Sequence, residues 1–191
     1  MILQRDSIVR VELPERLIRT IQLCQRCNLW RTRKFPVPGR GIAPSDVLFI
    51  GEGPGKVEDV RGLAFIGPTK RIINDLIIHA SREAGVEVPN CFYANLVCCR
   101  PCDSRLGDNR PPSGEEAWAC WPNLKAVAEA VNPRLVVLLG KVPVTYAQAC
   151  FPMATTLLHP AYILRVGGID SQEHAASIRR LSDAFKMRLT K

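Results

Sequence analysis

Four apolar residues, Val47 to Ile50, run straight into the turn Gly51-Glu-Gly-Pro-Gly55. A short apolar run bounded by turn residues predicts a buried strand. Phe92–Val97, Leu135–Leu139 and a stretch near Ala154–Leu158 repeat the pattern. Between them the spacing turns helical. Pro14 to Cys24 carries apolar residues at 17, 18, 21 and 23, and about 68–84 places Ile72, Ile73, Leu76 and Ile77 on one face. Ser113-Gly-Glu-Glu116 reads as a capping box opening a helix to about Val131. Further helices are predicted over 142–150 and 171–189, the latter with Ile178, Leu181, Phe185 and Leu189 inward. Residues 28–46 and 102–114 read as loops. Strands alternating with helices predict an α/β fold, a three-layer sandwich around a central, mainly parallel four-stranded sheet. No repeat or composition break interrupts the chain, so residues 1–191 are expected to form one domain.

The formal net charge of +8 changes the picture through its distribution. Arg16, Arg19, Arg26, Arg31, Arg33, Lys34 and Arg40 fall between residues 16 and 45 with no acid among them. Such a stretch suits a polyanion, because neutralised phosphates release their counterions. No apolar run approaches the ~20 residues of a membrane span, and early charges (Arg5, Asp6, Arg10) exclude a signal-peptide core. A soluble cytoplasmic protein is the expectation.

A tight turn at the carboxyl end of a strand is where open α/β sheets bind ligands. The dinucleotide fingerprint fails, since its third glycine would fall on Lys56, and no Walker A pattern is present. The turn is followed by two carboxylates, Glu58 and Asp59, and an aromatic, Phe65.

Eight cysteines stand at 24, 27, 91, 98, 99, 102, 120 and 150. In an intracellular chain of this size they point to metal or cluster binding rather than disulfides. Cys24-x-x-Cys27 is a strong half-site. Spacing alone offers Cys99-x-x-Cys102 as its partner, giving a zinc-like site, with Cys120 as a competing fourth ligand. Cys91, Cys98 and Cys150 read as small apolar residues.

Taken in order, these segments resemble the uracil-DNA glycosylase superfamily, most closely its iron–sulfur family 4. The resemblance is carried by Cys24-x-x-Cys27-x-Leu29, Val37-Pro-Gly39, Gly51-Glu-Gly-Pro-Gly55 with Glu58-Asp59, and Gly62-x-x-Phe65-x-Gly67. It continues through Asn95-x-Val-x-Cys-Arg-Pro101, Asn109-Arg110-x-Pro112, Cys120, Leu139-Gly140 and His159-Pro-Ala-x-x-Leu-Arg165. It implies a structural [4Fe-4S] cluster on Cys24, Cys27, Cys99 and Cys120, with Cys102 an extra residue and zinc the lesser choice. It implies DNA as partner, a monomer, and a cytoplasmic, nucleoid-associated setting.

The implied chemistry is removal of a flipped pyrimidine, uracil by default, leaving an abasic site. Phe65 would stack on the base, Asn95 would read its edge, and the backbone at Glu52 and Gly53 would close against it. His159 would donate to the base as negative charge builds, and Glu58, with Asp59 or Glu52 as rivals, would orient water. Lys70 and Arg165 would face DNA, and Ile163 would fill the hole left in the duplex. No lysine stands where a Schiff base would form, Lys70 being the one residue that could upset this, so a monofunctional enzyme is expected. Thr69-Lys70 replaces the family's usual small Ala-Gly pair, residues 102–108 lengthen one loop, and the 140–159 connection is short. These departures raise the same chemistry on a bulky hypermodified base, such as glucosylated hydroxymethylcytosine in phage DNA, as a defence enzyme. A non-catalytic iron–sulfur DNA-binding protein is the alternative from another class.

Overall fold

The computed structural model describes residues 11–190. Its elements in chain order are β1 (Val11–Glu12), α1 (Glu15–Gln22), β2 (Gly41–Ile42), β3 (Val47–Gly51), α2 (Lys56–Arg61), α3 (Thr69–Ala84) and β4 (Cys91–Asn95). There follow α4 (Gly114–Val131), β5 (Leu135–Leu139), α5 (Lys141–Ala147), β6 (Thr155–Leu157), α6 (Pro160–Arg165) and α7 (Gln172–Leu189).

The four expected strands form one sheet in the order β4-β3-β5-β6, every neighbouring pair parallel. Alternation of side chains across the pleat builds two cores from one sheet. Val47, Phe49, Tyr93, Val137 and Leu139 face α3 and α7, meeting Ile72, Leu76, Leu181 and Phe185. Leu48, Ile50, Phe92, Ala94 and Leu138 face the other way, onto Ala117, Leu124 and Val127 of α4 and Ile21 of α1. With both faces covered, the strands read as unbroken apolar runs, as parallel strands should. This is the α/β sandwich that the sequence predicts.

The capping box is present: Ser113 Oγ accepts from the Glu116 N–H at 3.2 Å, and Glu116 accepts from the Ser113 N–H at 2.8 Å. Three features differ from expectation. β4 ends at Asn95, although Leu96 N and Val97 N still donate to Gly51 O and Glu52 O. The six-residue helices α2 and α6 replace expected turn and loop. β1 and β2 form a small parallel pair that alternation could not show.

Candidate active site

Register sets the site. Gly51 pairs with Asn95 across β3 and β4, so both stand at the carboxyl ends of neighbouring strands. His159 follows β6 along the same edge of the sheet. A cleft of about 460 Å³ opens there, lined by Glu52, Gly53, Gly55, Glu58, Phe65, Thr69, Asn95, Asn109, Arg110, His159 and Arg165.

Gly51 is the floor on which two of these side chains meet. A Cβ built there would lie 2.4 Å from Phe65 Cζ and 2.7 Å from Asn95 Oδ1, so only glycine leaves both in place. Phe65 is held at φ 52°, a left-handed conformation that bulky side chains resist. Its ring rests on Tyr93, with centroids 6.1 Å apart.

The carboxylates divide by orientation. Glu58 Oε1 accepts from the Gly67 N–H at 2.9 Å. Its Oε2 lies 2.8 Å from where a Cβ on Gly55 would be, with Asn109 Nδ2 3.6 Å from the same point. One oxygen of Glu58 is therefore anchored and the other shares the cleft with an amide donor. Glu52 is half-buried in the cleft wall, and burial pushes its carboxyl above the usual range.

His159 caps α6, its Nδ1 accepting from the Ala161 N–H at 3.2 Å. That bond requires a lone pair on Nδ1, so the neutral ring carries its proton on Nε2. Burial, and then the nearby Arg165, lower its pKa, which favours the same neutral form. The cleft thus combines an aromatic face, an amide, an anchored carboxylate and a neutral N–H donor.

The sequence profile of the uracil DNA glycosylase superfamily matches residues 38–181. The chain belongs to the uracil DNA glycosylase superfamily. It is 36% identical to a type-4 uracil-DNA glycosylase of Saccharolobus solfataricus over 126 residues, 66% of this chain and 55% of the relative. It is 32% identical to the type-4 enzyme of Sulfurisphaera tokodaii over 127 residues, covering 66% and 54%. The type-4 uracil-DNA glycosylase of Thermotoga maritima is 34% identical over 137 residues, covering 72% and 67%. The chain therefore spans about half the length of the two archaeal relatives.

Within this superfamily member, two expected site residues turn away from the cleft. Asp59 is buried, and its Oδ1 accepts from the Lys34 N–H at 2.9 Å while its carbonyl accepts from Phe35 N. Successive residues on a helix point about 100° apart, so Asp59 anchors the basic loop while Glu58 faces the cleft. Ile163 is 0% exposed and packs into the core beneath α6, so it is absent from the protein surface. Its neighbours Tyr162 and Leu164 are exposed instead. Lys70 lies on the first turn of α3 outside the cleft lining.

The lengthened loop after Arg100 brings Asn109 and Arg110 into the cleft lining. Arg100 Nε donates to Asn109 Oδ1 at 2.6 Å, and its guanidinium also holds the carbonyls of Arg105 and Gly107. Lys56 at the start of α2 pairs with Asp108 at 2.9 Å. The 102–108 insertion is thereby folded back so that Asn109 and Arg110 reach the cleft. The Asn109-Arg110 motif and the added length of residues 102–108 were its signals in the sequence, whereas the tether through Arg100 carried none.

A second cavity gathers cysteines. Cys24, Cys27, Cys98, Cys99 and Cys120 line it with Arg26, Leu29 and Asn123. Cys102 stands apart, its sulfur directed at Arg100 O at 3.6 Å, so the Cys99-x-x-Cys102 pairing is not formed. Cys120 Sγ accepts from Cys98 N at 3.2 Å and Asn123 Nδ2 at 3.8 Å, and Cys24 Sγ from Asn123 Nδ2 at 3.5 Å. Cys99 Sγ receives Arg33 Nη1 at 3.0 Å. The hydrogen bond from the Cys98 side chain draws the Cys120 thiol down to about 7, whereas burial pushes Cys99 up to about 12. Donors aimed at sulfur suit thiolates bound to a metal cluster. Among the described residues no group of three or more metal-ligating side chains is tight enough for a single ion. No described helix is long and apolar enough to cross a membrane.

Proposed function

We propose that this chain is a monofunctional DNA glycosylase that flips uracil from DNA and hydrolyses its N-glycosidic bond. The observation that carries this is the convergence of Phe65, Asn95 and the Nε2–H of a neutral His159 on one strand edge. The flipped base stacks on Phe65, and the Asn95 amide pairs with its Watson–Crick edge. As the C1′–N1 bond breaks, its electron pair moves onto the base, and His159 Nε2–H stabilises the charge gathering on O2. Glu58, held through Oε1, uses Oε2 with Asn109 Nδ2 to orient the water that attacks C1′. Glu52, with Gly53, closes the cleft beside the base.

Arg165 and the exposed Leu164 and Tyr162 contact the duplex, the wedge role passing to them from the buried Ile163. Lys70 lies outside the cleft lining, which favours hydrolysis over a Schiff base. Cys24, Cys27, Cys99 and Cys120 would hold a structural [4Fe-4S] cluster, since all four line one cavity and Cys102 does not. When bound, it would tie the basic loop to α4 and the sheet. The protein acts as a monomer on the nucleoid, in the cytoplasm.

The same chemistry on a glucosylated cytosine is the second reading, favoured because Thr69 and Asn109, the residue directly after the insertion, both line the cleft. Single-turnover base release from matched duplexes, one with uracil and one with glucosylated hydroxymethylcytosine, separates the two. Strand scission at alkali only in the uracil duplex supports the first assignment, and only in the glucosylated duplex the second. Tight binding of both without scission overturns the enzyme in favour of a DNA-binding iron–sulfur protein. Absorbance near 400 nm in anaerobically purified protein, abolished in Cys120→Ser and kept in Cys102→Ser, tests the ligand set.

A further inference from the structure

Arg40 is 2% exposed, and no carboxylate among the described residues pairs with it. Its Nη2 is buried without a hydrogen-bond partner. Burying an unpaired cation opposes folding, so packing alone would be better served by methionine or leucine. The contacts Arg40 does make all lead to Phe65. Its backbone bridges to β4 at Tyr93, with N–H···O distances of 2.9 and 2.8 Å. Its guanidinium carbon lies 4.0 Å from the centre of the Tyr93 ring, and that ring supports Phe65. Its Nε donates to Ala64 O at 3.0 Å, on the peptide that leads into Phe65. The adjoining Gly39 O accepts from Ala64 N at 3.3 Å.

Phe65 needs such a clamp. At φ 52° its backbone would relax toward negative φ if the preceding peptide were released, and the ring would leave the face of Tyr93. We propose that Arg40 is a positioning residue of the active site, holding Phe65 in its left-handed conformation through Ala64 and through the Tyr93 ring. Resting on the glycosylase assignment, this makes Arg40 a determinant of base release without contact with the base. The planar guanidinium supplies both a directed N–H and a flat face. Lysine offers neither in that geometry.

The test uses the full cluster-bearing protein and the variants Arg40→Met, Arg40→Lys and Phe65→Ala. In Arg40→Met, amide hydrogen exchange at residues 64–67 is expected to quicken roughly tenfold or more, with β3 and β4 unchanged. Single-turnover uracil release is expected to fall about 10- to 100-fold at unaltered affinity for an uncleavable duplex. Arg40→Lys should behave like Arg40→Met. Introduced into Phe65→Ala, Arg40→Met should cost no more than about twofold further. Unchanged local exchange, or a loss that adds in full to that of Phe65→Ala, overturns the clamp. Exchange quickened throughout the sheet does so too, by making Arg40 a general stabiliser. A wild-type protein that releases no uracil, with exchange still quickened only at 64–67 in Arg40→Met, sinks the glycosylase assignment and leaves the clamp standing.

Discussion

Gly51→Ala puts a single methyl group where the cleft has least room. The new Cβ would sit 2.4 Å from Phe65 Cζ and 2.7 Å from Asn95 Oδ1, whereas carbon atoms pack at about 3.5 Å or more. The ring must therefore retreat by roughly 1 Å, and the amide by rather less. Overpacking of this kind costs about 1–3 kcal/mol. For a chain of this size that lowers Tm by about 2–12 °C, at about 2–4 °C per kcal/mol. The effect on chemistry should be larger, because a displacement of about 1 Å can cost on the order of 100-fold in rate. Single-turnover release of uracil at saturating enzyme, well below the variant's Tm, reads the chemical step, and a thermal melt reads the fold. Gly114→Ala is the control, since its nearest neighbour would be Tyr146 Oη at 3.6 Å. Gly51→Ala that releases uracil within about threefold of wild type would refute the assignment of Phe65 and Asn95 as one base-holding pair on a glycine floor.

Three further outcomes are expected. His159 is depressed below its ordinary pKa by burial and by Arg165, so it stays neutral through pH 6.5 and rates should fall only at lower pH. Protonation would set a donor against the Ala161 N–H, and stability should fall with it, because the unfolded chain binds that proton more readily. In Arg165→Gln the acid limb of the rate profile should move to higher pH, and a limb that stays put counts against the assignment. Glu116 is held below its usual pKa first by Arg110, so its contribution is present above about pH 4.5 and is lost as pH falls through its lower folded value. Glu116→Ala should cost about 2–3 kcal/mol in urea unfolding, with the Arg110 side chain at 33% exposure limiting the loss; a smaller cost for Glu116→Ala than for Ser113→Ala would contradict the bidentate pair in which Arg110 Nη1 and Nη2 donate to Glu116 Oε2 and Oε1 at 2.8 and 2.7 Å. Ile163→Ala should lower stability by about 2–5 kcal/mol and leave duplex affinity intact, whereas Leu164→Ala should do the reverse. Equal behaviour of the two in melts and binding titrations would remove the wedge assignment.

The sheet was legible in the sequence because parallel strands buried on both faces must be apolar throughout, and Val47–Ile50 and Leu135–Leu139 are. The positions of Asn95 and His159 at the same edge followed from the stretches Phe92–Val97 and Ala154–Leu158. Shorter elements left no trace: α2 and α6 have six residues each, under two turns, too few for a helical period to register. Their faces were hidden with them, which is why Asp59 and Ile163 read as site residues alongside Glu58 and Arg165. Cysteine spacing failed for a related reason. Cys99-x-x-Cys102 has the spacing of a half-site, but the fold sends Cys99 into the cavity and Cys102 toward Arg100. Partners such as the half-buried Arg33 and the buried Asn123, which donate to sulfur, carry no sequence pattern at all.

Arg100 gives the loop beside the cleft an unusual independence. One guanidinium gathers the carbonyls of Arg105 and Gly107 and the side chain of Asn109, while Leu106 at the outer end is 94% exposed. The ends of the segment are tied within reach of a single residue, so the cleft does not depend on what hangs between them. Chain added to such a closed base costs little, since loop entropy grows only with the logarithm of length. Leu106, between the two carbonyls that Arg100 holds, is thus a natural graft point, where an affinity tag, a fluorophore or a foreign recognition peptide could ride beside the cleft of an otherwise unaltered protein.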